Sequence, residues 1–238
     1  MKIALIGYGK MGVEVEKIAQ ERGHSITLRA DSQSGIDEDK LSHSEVAIEF
    51  TNPAAAPQNI ITCLRNKIPV VSGSTGWYDK LPGIKTQFEK ENGTLLHATN
   101  FSLGVNLFFA LNAFLADKLN TYGGYGIHVH EIHHTKKLDA PSGTAITTAE
   151  TLIKHMDFYT GWKHGREHAQ SEIPVTHERV DDVPGTHTVK FTGADDEIEI
   201  KHTAHNRMGF ALGAVIAAEW IIGKHGVFTM RDVLKIDF

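Results

Sequence analysis

The chain has 238 residues, 41% hydrophobic and 22% charged, with a formal net charge of -5. This is the composition of an ordinary soluble globular protein with room for one core or two. It argues against a nucleic-acid surface and leaves no apolar run long enough to span a membrane. A single cysteine, Cys63, excludes an internal disulfide and suits a reducing, cytoplasmic setting, and Met1 to Ile6 runs straight into a glycine turn, unlike a signal peptide.

Lys2 to Ile6 reads as a short buried strand. It leads at once into Gly7-Tyr8-Gly9-Lys10-Met11-Gly12 and a helical pattern from Val13 to Arg22, closed by Gly23. Strand, G-x-G-x-x-G and helix together form a dinucleotide fingerprint. Gly7 makes the tight turn, Gly9 lets a pyrophosphate approach the backbone, and Gly12 lets the helix pack on the strand. Ser25 to Arg29 is a second strand, followed by Asp31, an acid placed to accept hydrogen bonds from the adenosine ribose and to repel a 2′-phosphate. Glu45 to Phe50 is a third strand, ending in Thr51-Asn52-Pro53, and Ala54 to Asn66 is helical. Ile68 to Ser72 is a fourth, running into Gly73-Ser74-Thr75-Gly76, where Gly73 and Thr75 can meet the cofactor's ribose or nicotinamide. Thr94 to Ala98 is a fifth, closing at Thr99-Asn100-Phe101-Ser102.

Leu103 to Leu119 is a long apolar helix leading out of this first domain. Beyond Gly123-Gly124 the pattern changes. Gly126 to Ile132 alternates like a strand, and Ala145 to Met156 reads as a helix with Ile146, Ala149, Leu152 and Ile153 on one face. Tyr159 to Glu172 is polar and reads as a mobile loop. Val175 to Val180, Thr186 to Thr192 and Glu197 to Thr203 are amphipathic strands, and Gly209 to Lys224 is a final helix. The expected fold is α/β: an N-terminal Rossmann-type parallel-sheet domain (residues 1–103 and 206–238) plus a second α+β domain with a mixed or antiparallel sheet (104–205).

Between strand and helix of the second domain lies Glu131-Ile132-His133-His134-Thr135-Lys136-Lys137-Leu138-Asp139-Ala140-Pro141-Ser142-Gly143-Thr144-Ala145. The backbone N–H groups of Ser142, Gly143 and Thr144 fall in the first helical turn, where a carboxylate or phosphate binds. His133, His134, Lys136 and Lys137 add positive or switchable charge, so the stretch reads as a pocket for a small anion with a proton donor attached. A solvated surface loop is the plain alternative. A metal centre on His128, His130, His133 and His134 is disfavoured, because period two spreads them over both strand faces; no metal is expected.

The pattern Glu-x-His-His-x-x-Lys-x-Asp-Ala-Pro-Ser-Gly-Thr-Ala resembles the signature of the dihydrodipicolinate reductases of lysine biosynthesis, and the resemblance extends over nearly the whole chain. It implies an oxidoreductase using NADH or NADPH on a cyclic dicarboxylate, with His133 and Lys137 catalytic and His134, Gly143 and Thr144 binding substrate. It assigns the cofactor to Gly7, Tyr8, Gly9, Lys10, Met11, Gly12 and Asp31, to Gly73, Ser74 and Thr75, to Ala98, Thr99, Asn100 and Phe101, and to Arg207. It also implies a homotetramer joined through the middle sheet. Many relatives carry an arginine after the strand-two acid, available to a 2′-phosphate; here Ser32 follows Asp31, so a preference for NADH, or at most dual use, is expected.

Overall fold

The computed structural model describes residues 1–206 and 208–236, which form two compact units, 1–103 with 208–236, and 104–206. The first unit contains β1 (Lys2–Ile6), α1 (Lys10–Glu21), β2 (Ser25–Ala30), α2 (Glu38–Ser42), β3 (Val46–Glu49), α3 (Ala56–Arg65), β4 (Val70–Ser72), α4 (Leu81–Lys90) and β5 (Thr94–His97). The second contains α5 (Leu103–Tyr122), β6 (Gly126–His133), α6 (Gly143–His155), β7 (Gly161–His164), β8 (Glu172–Arg179), β9 (Gly185–Thr192) and β10 (Glu197–Ala204). The chain then returns to the first unit with α7 (Met208–Ile221), β11 (Gly226–Phe228) and α8 (Met230–Leu234).

The first sheet is parallel throughout, in the order β11-β5-β4-β3-β1-β2. Its strands are short apolar runs because both faces are covered. On one face Ile3, Leu5, Ile48 and Val71 pack against Val15 and Ile18 of α1 and Ala214 and Val215 of α7. On the other, Ala4, Ala47, Val70 and Leu95 meet Ile60 and Leu64 of α3 and Ile84 and Phe88 of α4. The strand order reverses between β1 and β3, so the loops following these two strands open the crevice where such sheets bind ligands.

The second sheet is mixed, ordered β10-β9-β6-β8-β7, with β6–β8 and β8–β7 parallel and β6–β9 and β9–β10 antiparallel. Ile127 and Val129 of β6, Val175 and Val189 face the helices and pack with Ala145, Ala149 and Leu152 of α6 and Phe108 and Leu119 of α5. Among the described residues, no helix is long and apolar enough to cross a membrane.

Two expectations are corrected here. The stretch Tyr159 to Glu172 is not simply a loop. It contains edge strand β7, paired in parallel with β8, and Tyr159 is buried with its hydroxyl accepting from the Ile127 N–H at 2.9 Å. Its exposed Lys163 and His164 hid the strand from a hydropathy reading. The buried face of α6 is Ala145, Thr148, Ala149 and Leu152, with Ile146 and Ile153 only half-buried. Elements α2, α4, β11 and α8 were not anticipated.

Gly213 fixes how α7 lies on its sheet: a Cβ there would stand 1.8 Å from the Phe101 carbonyl oxygen. Gly213→Ala is therefore expected to lower stability by about 1–3 kcal/mol through overpacking, despite alanine's better helix propensity. An unchanged urea-unfolding midpoint would contradict this packing.

Candidate active site

The glycine loop has the shape a dinucleotide needs. Gly7 sits at φ +97°, where a Cβ would lie 2.1 Å from the Phe50 carbonyl oxygen, and a Cβ on Gly12 would come within 2.6 Å of the Gly7 carbonyl oxygen. Gly9, by contrast, faces open space, as close approach of a ligand to the backbone requires. Gly9, Lys10 and Met11 line a cleft of about 460 Å³ together with Gly73, Ser74, Thr75 and the stretch Phe50 to Pro53. Gly73 has no Cβ because the Phe50 ring takes its place, 2.1 Å from where one would be. Phe50 in turn meets Phe101 edge-on at 5.8 Å. Ala98, Thr99 and Asn100 follow β5 and do not line this cleft. Tyr8 and Asp31 do not line this cleft; the Gly7 and Tyr8 N–H groups both donate to the Ala30 carbonyl (2.8 and 2.9 Å), which fastens the glycine loop to the residue before Asp31. Arg207 lies outside the described residues.

Glu49, which the sequence did not single out, holds two of these loops together. Its carboxyl is fully buried and accepts from the Ser72 hydroxyl at 2.6 Å, the Ser74 hydroxyl at 2.8 Å, the Thr51 N–H at 2.9 Å and the Thr51 hydroxyl. A charged residue inside the apolar Val46–Phe50 run was the available signal.

In the second unit the register of the mixed sheet sets His187 of β9 opposite Glu131 and Arg179 of β8 opposite His133. Glu131 is fully buried. It accepts from the Ser142 N–H at 3.1 and 3.2 Å and from the Arg179 guanidinium at 3.4 Å, with His133 Nδ1 at 3.4 Å and His187 Nε2 at 3.5 Å. Ser142 is the N-cap of α6, its hydroxyl accepting from the Ala145 N–H at 3.2 Å and lying 3.2 Å from His187 Nε2. Ser142 N–H is therefore committed to Glu131 and does not point outward as expected. Gly143 is exposed with open space around it, and Thr144 is half-buried beside it, so the helix start remains approachable at those two residues.

His133 is buried, its ring fitted against the bare backbone of Gly185. Burial lowers its pKa to about 4, against the attraction of Glu131. Burial alone would raise Glu131; hydrogen bonds from His187 and Ser142 and the charge of His133 outweigh it and hold the carboxyl at about 2. His134 is half-buried, and its Nδ1 has no hydrogen-bond partner among the described residues. Lys137 is held in the loop by a bidentate ion pair to Asp139 (2.8 Å to each oxygen). Arg179 ties the same loop down by donating to the Asp139 carbonyl at 2.8 Å. Glu131 thus holds both His133 and, through Ser142, the start of α6, while the charge of Lys137 acts on His133.

Glu131, His133 and His187 bring a carboxylate and two imidazoles within 4.8 Å of one another. Both Glu131 oxygens already receive the Ser142 N–H, and one receives the guanidinium, donors that stand where a cation would need lone pairs. We read this cluster as a hydrogen-bonded scaffold. His128 and His130 lie on the opposite sheet face and instead share the Thr176 hydroxyl, at 2.7 and 2.8 Å.

A doubly wound sheet with this glycine cradle, joined to a unit carrying a histidine–lysine loop at a helix start, defines a nicotinamide-dinucleotide oxidoreductase. Comparison with known proteins narrows the class. Family models described as dihydrodipicolinate reductase, N-terminus, and dihydrodipicolinate reductase, C-terminus, match residues 1–101 and 104–234. The chain is 47% identical over 237 residues to a 4-hydroxy-tetrahydrodipicolinate reductase of Christiangramia forsetii, covering 99% of this chain and 98% of that protein. It is 37% identical over 227 residues to the enzyme of the same name from Laribacter hongkongensis, covering 92% and 84%. The dipicolinate-bound dihydrodipicolinate reductase from Paenisporosarcina sp. TG-14 shares its fold, with a TM-score of 0.80 at 20% identity over 96% of this chain and 97% of that one. The chain belongs to the dihydrodipicolinate reductase family.

The buried acid–imidazole pair has a pH signature. Both groups are depressed, so each contributes stability that is present above its unfolded pKa and lost as pH falls toward its folded one. For His133 the window runs from 6.5 down to about 4, and for Glu131 from 4.5 down to about 2. Each shift corresponds to about 3 kcal/mol. His97, His128 and His202, also lowered by burial, add to the upper window. Urea midpoints measured at falling pH should decline through the upper window, and His133→Asn should flatten that decline. An identical pH profile for the variant would contradict the placement of His133.

Proposed function

We propose that the chain reduces 4-hydroxy-tetrahydrodipicolinate, with loss of water, to tetrahydrodipicolinate in the diaminopimelate route to lysine. The observation that carries this reading is the buried Glu131, which holds His133 and, through the Ser142 N–H, the approachable helix start at Gly143 and Thr144, with the charge of Lys137 acting on His133. Loss of water from this cyclic dicarboxylate leaves an imine conjugated to a carbon–carbon double bond. When bound, a reduced nicotinamide supplies a hydride to the far end of that system. Negative charge then develops toward the ring nitrogen and its neighbouring carbon, where a proton must arrive.

The chain's own residues divide the remaining work. First-turn N–H groups at Gly143 and Thr144 hold one carboxylate, and the half-buried His134 holds the other. Lys137, aimed by Asp139, faces the developing charge as proton donor or electrostatic partner. His133 is neutral in the free protein, because burial holds its pKa at about 4. A dicarboxylate brought beside it favours the imidazolium, so binding of substrate itself loads the acid. Gly7 to Gly12, Gly73 to Thr75, Ala98 to Phe101 and Arg207 form the dinucleotide site. Asp31 favours NADH: its Oδ1 accepts from the Gln33 and Ser34 N–H groups, both at 2.8 Å, and these hydrogen bonds lower its pKa and keep it charged.

Steady-state turnover, followed by loss of the reduced nicotinamide's absorbance, tests the assignment. His133→Gln and Lys137→Gln should each lose at least about 100-fold in kcat, with the KM for the nucleotide unchanged. Near-normal turnover in either variant removes that residue from the mechanism.

We also propose a homotetramer joined through the face of the mixed sheet that carries no helix. His128, His130, Ile132, Thr176 and Lys190 line an open cavity of about 620 Å³ on that face. Light scattering should return four times the 26.2 kDa chain mass. A monomeric mass would overturn the arrangement.

A further inference from the structure

We propose that Glu16 is a specificity-determining residue: it engages Arg29, the arginine two residues before Asp31, and so withholds that cation from a 2′-phosphate. This rests on the reading of the first unit as an NADH-preferring dinucleotide site, and it accounts for that preference in a chain that carries an arginine two residues before Asp31.

The geometry is local and complete. Arg29 lies two residues before Asp31, at the end of β2. The Ala30 carbonyl receives both the Gly7 and the Tyr8 N–H, so the end of β2 is fastened directly to the glycine loop. The Arg29 guanidinium stands over the Tyr8 ring, 5.8 Å from its centroid. It is therefore beside the loop that would carry the pyrophosphate, in the strand that leads to the acid that would meet the ribose. A cation so placed is what recognition of a 2′-phosphate calls for.

Here it is already engaged. Glu16, in the second turn of α1, takes Arg29 in a fork: Nε donates to Oε2 at 2.9 Å and the terminal nitrogen pairs with Oε1. Tyr8 donates its hydroxyl to the same carboxylate at 2.5 Å, and Gln20 donates to Oε1 at 3.0 Å. Glu16 is mostly covered, at 12% side-chain exposure, whereas Arg29 keeps 43%. The carboxylate is thus the fixed member and the guanidinium the one a ligand could reach. To bind a 2′-phosphate, Arg29 must leave a bidentate carboxylate, and the incoming dianion must come close to both Glu16 and Asp31. NADH, with a free ribose hydroxyl, meets neither obstacle. Lys10, exposed in the glycine loop, is the other cation nearby and lies on the pyrophosphate side, lining the cleft with Gly9.

Calorimetric titration of NADH and NADPH into wild type, Glu16→Gln, Glu16→Ala and Glu16→Ala/Arg29→Ala tests this, with kcat/KM for each nucleotide measured in parallel. Freeing Arg29 should improve the affinity for NADPH relative to NADH by at least about tenfold in Glu16→Ala, about 1.4 kcal/mol, and by less in Glu16→Gln. Removing Arg29 as well should return the ratio to its wild-type value. Ratios that stay within about twofold in both single variants would overturn the inference, as would a gain that persists without Arg29. A wild-type protein that binds neither nucleotide would instead remove the dinucleotide site itself, and the inference with it.

Discussion

The arrangement of the second unit depends on a carboxylate placed where water cannot reach it. Such a group is costly to bury unless donors surround it. Glu131 receives donors from three elements: the N-cap of α6, Arg179 of β8 and His187 of β9. Satisfying it therefore fixes where α6 begins relative to the sheet. The loop between Ile132 and Pro141, which carries His134 and Lys137, is pinned at both ends by the same acid. His133 gains its neutral, buried state from the same packing, since Gly185 leaves room for the ring and nothing else.

The first unit uses a related device without a cation. Glu49 sits at the end of β3, one strand from the glycine loop, and gathers hydroxyl and backbone donors from Thr51, Ser72 and Ser74. The loops after β3 and β4 are thereby held to each other, with Phe50 filling the space a side chain on Gly73 would need. In both units a buried acid converts flexible loops into a shaped surface, so that binding need not spend free energy on ordering them.

Much of this was legible in the sequence, for physical reasons that can be named. The parallel sheet announced itself because strands buried on both faces must be apolar throughout, as Lys2–Ile6 and Val46–Glu49 nearly are. The glycine loop was legible because only glycine tolerates the turn at Gly7 and the closeness at Gly12. The His-His-Lys loop was legible from its density of chemistry. What stayed hidden depends on register and on contacts distant in sequence. Nothing near Arg179 or His187 marks them as partners of Glu131; only strand pairing brings them there. Likewise β7 was masked by polar side chains suited to an exposed sheet edge, and the Glu16–Arg29 fork joins a helix to a strand.

The proposed chemistry is hydride delivery to a cyclic imine dicarboxylate. Its most direct measurement is a turnover with nicotinamide deuterated at the transferable C4 position, followed by mass analysis of the tetrahydrodipicolinate formed. The account predicts product carrying one deuterium on the ring carbon that lost the hydroxyl. Product lacking the label, or no product from freshly generated substrate with either nucleotide, would contradict it.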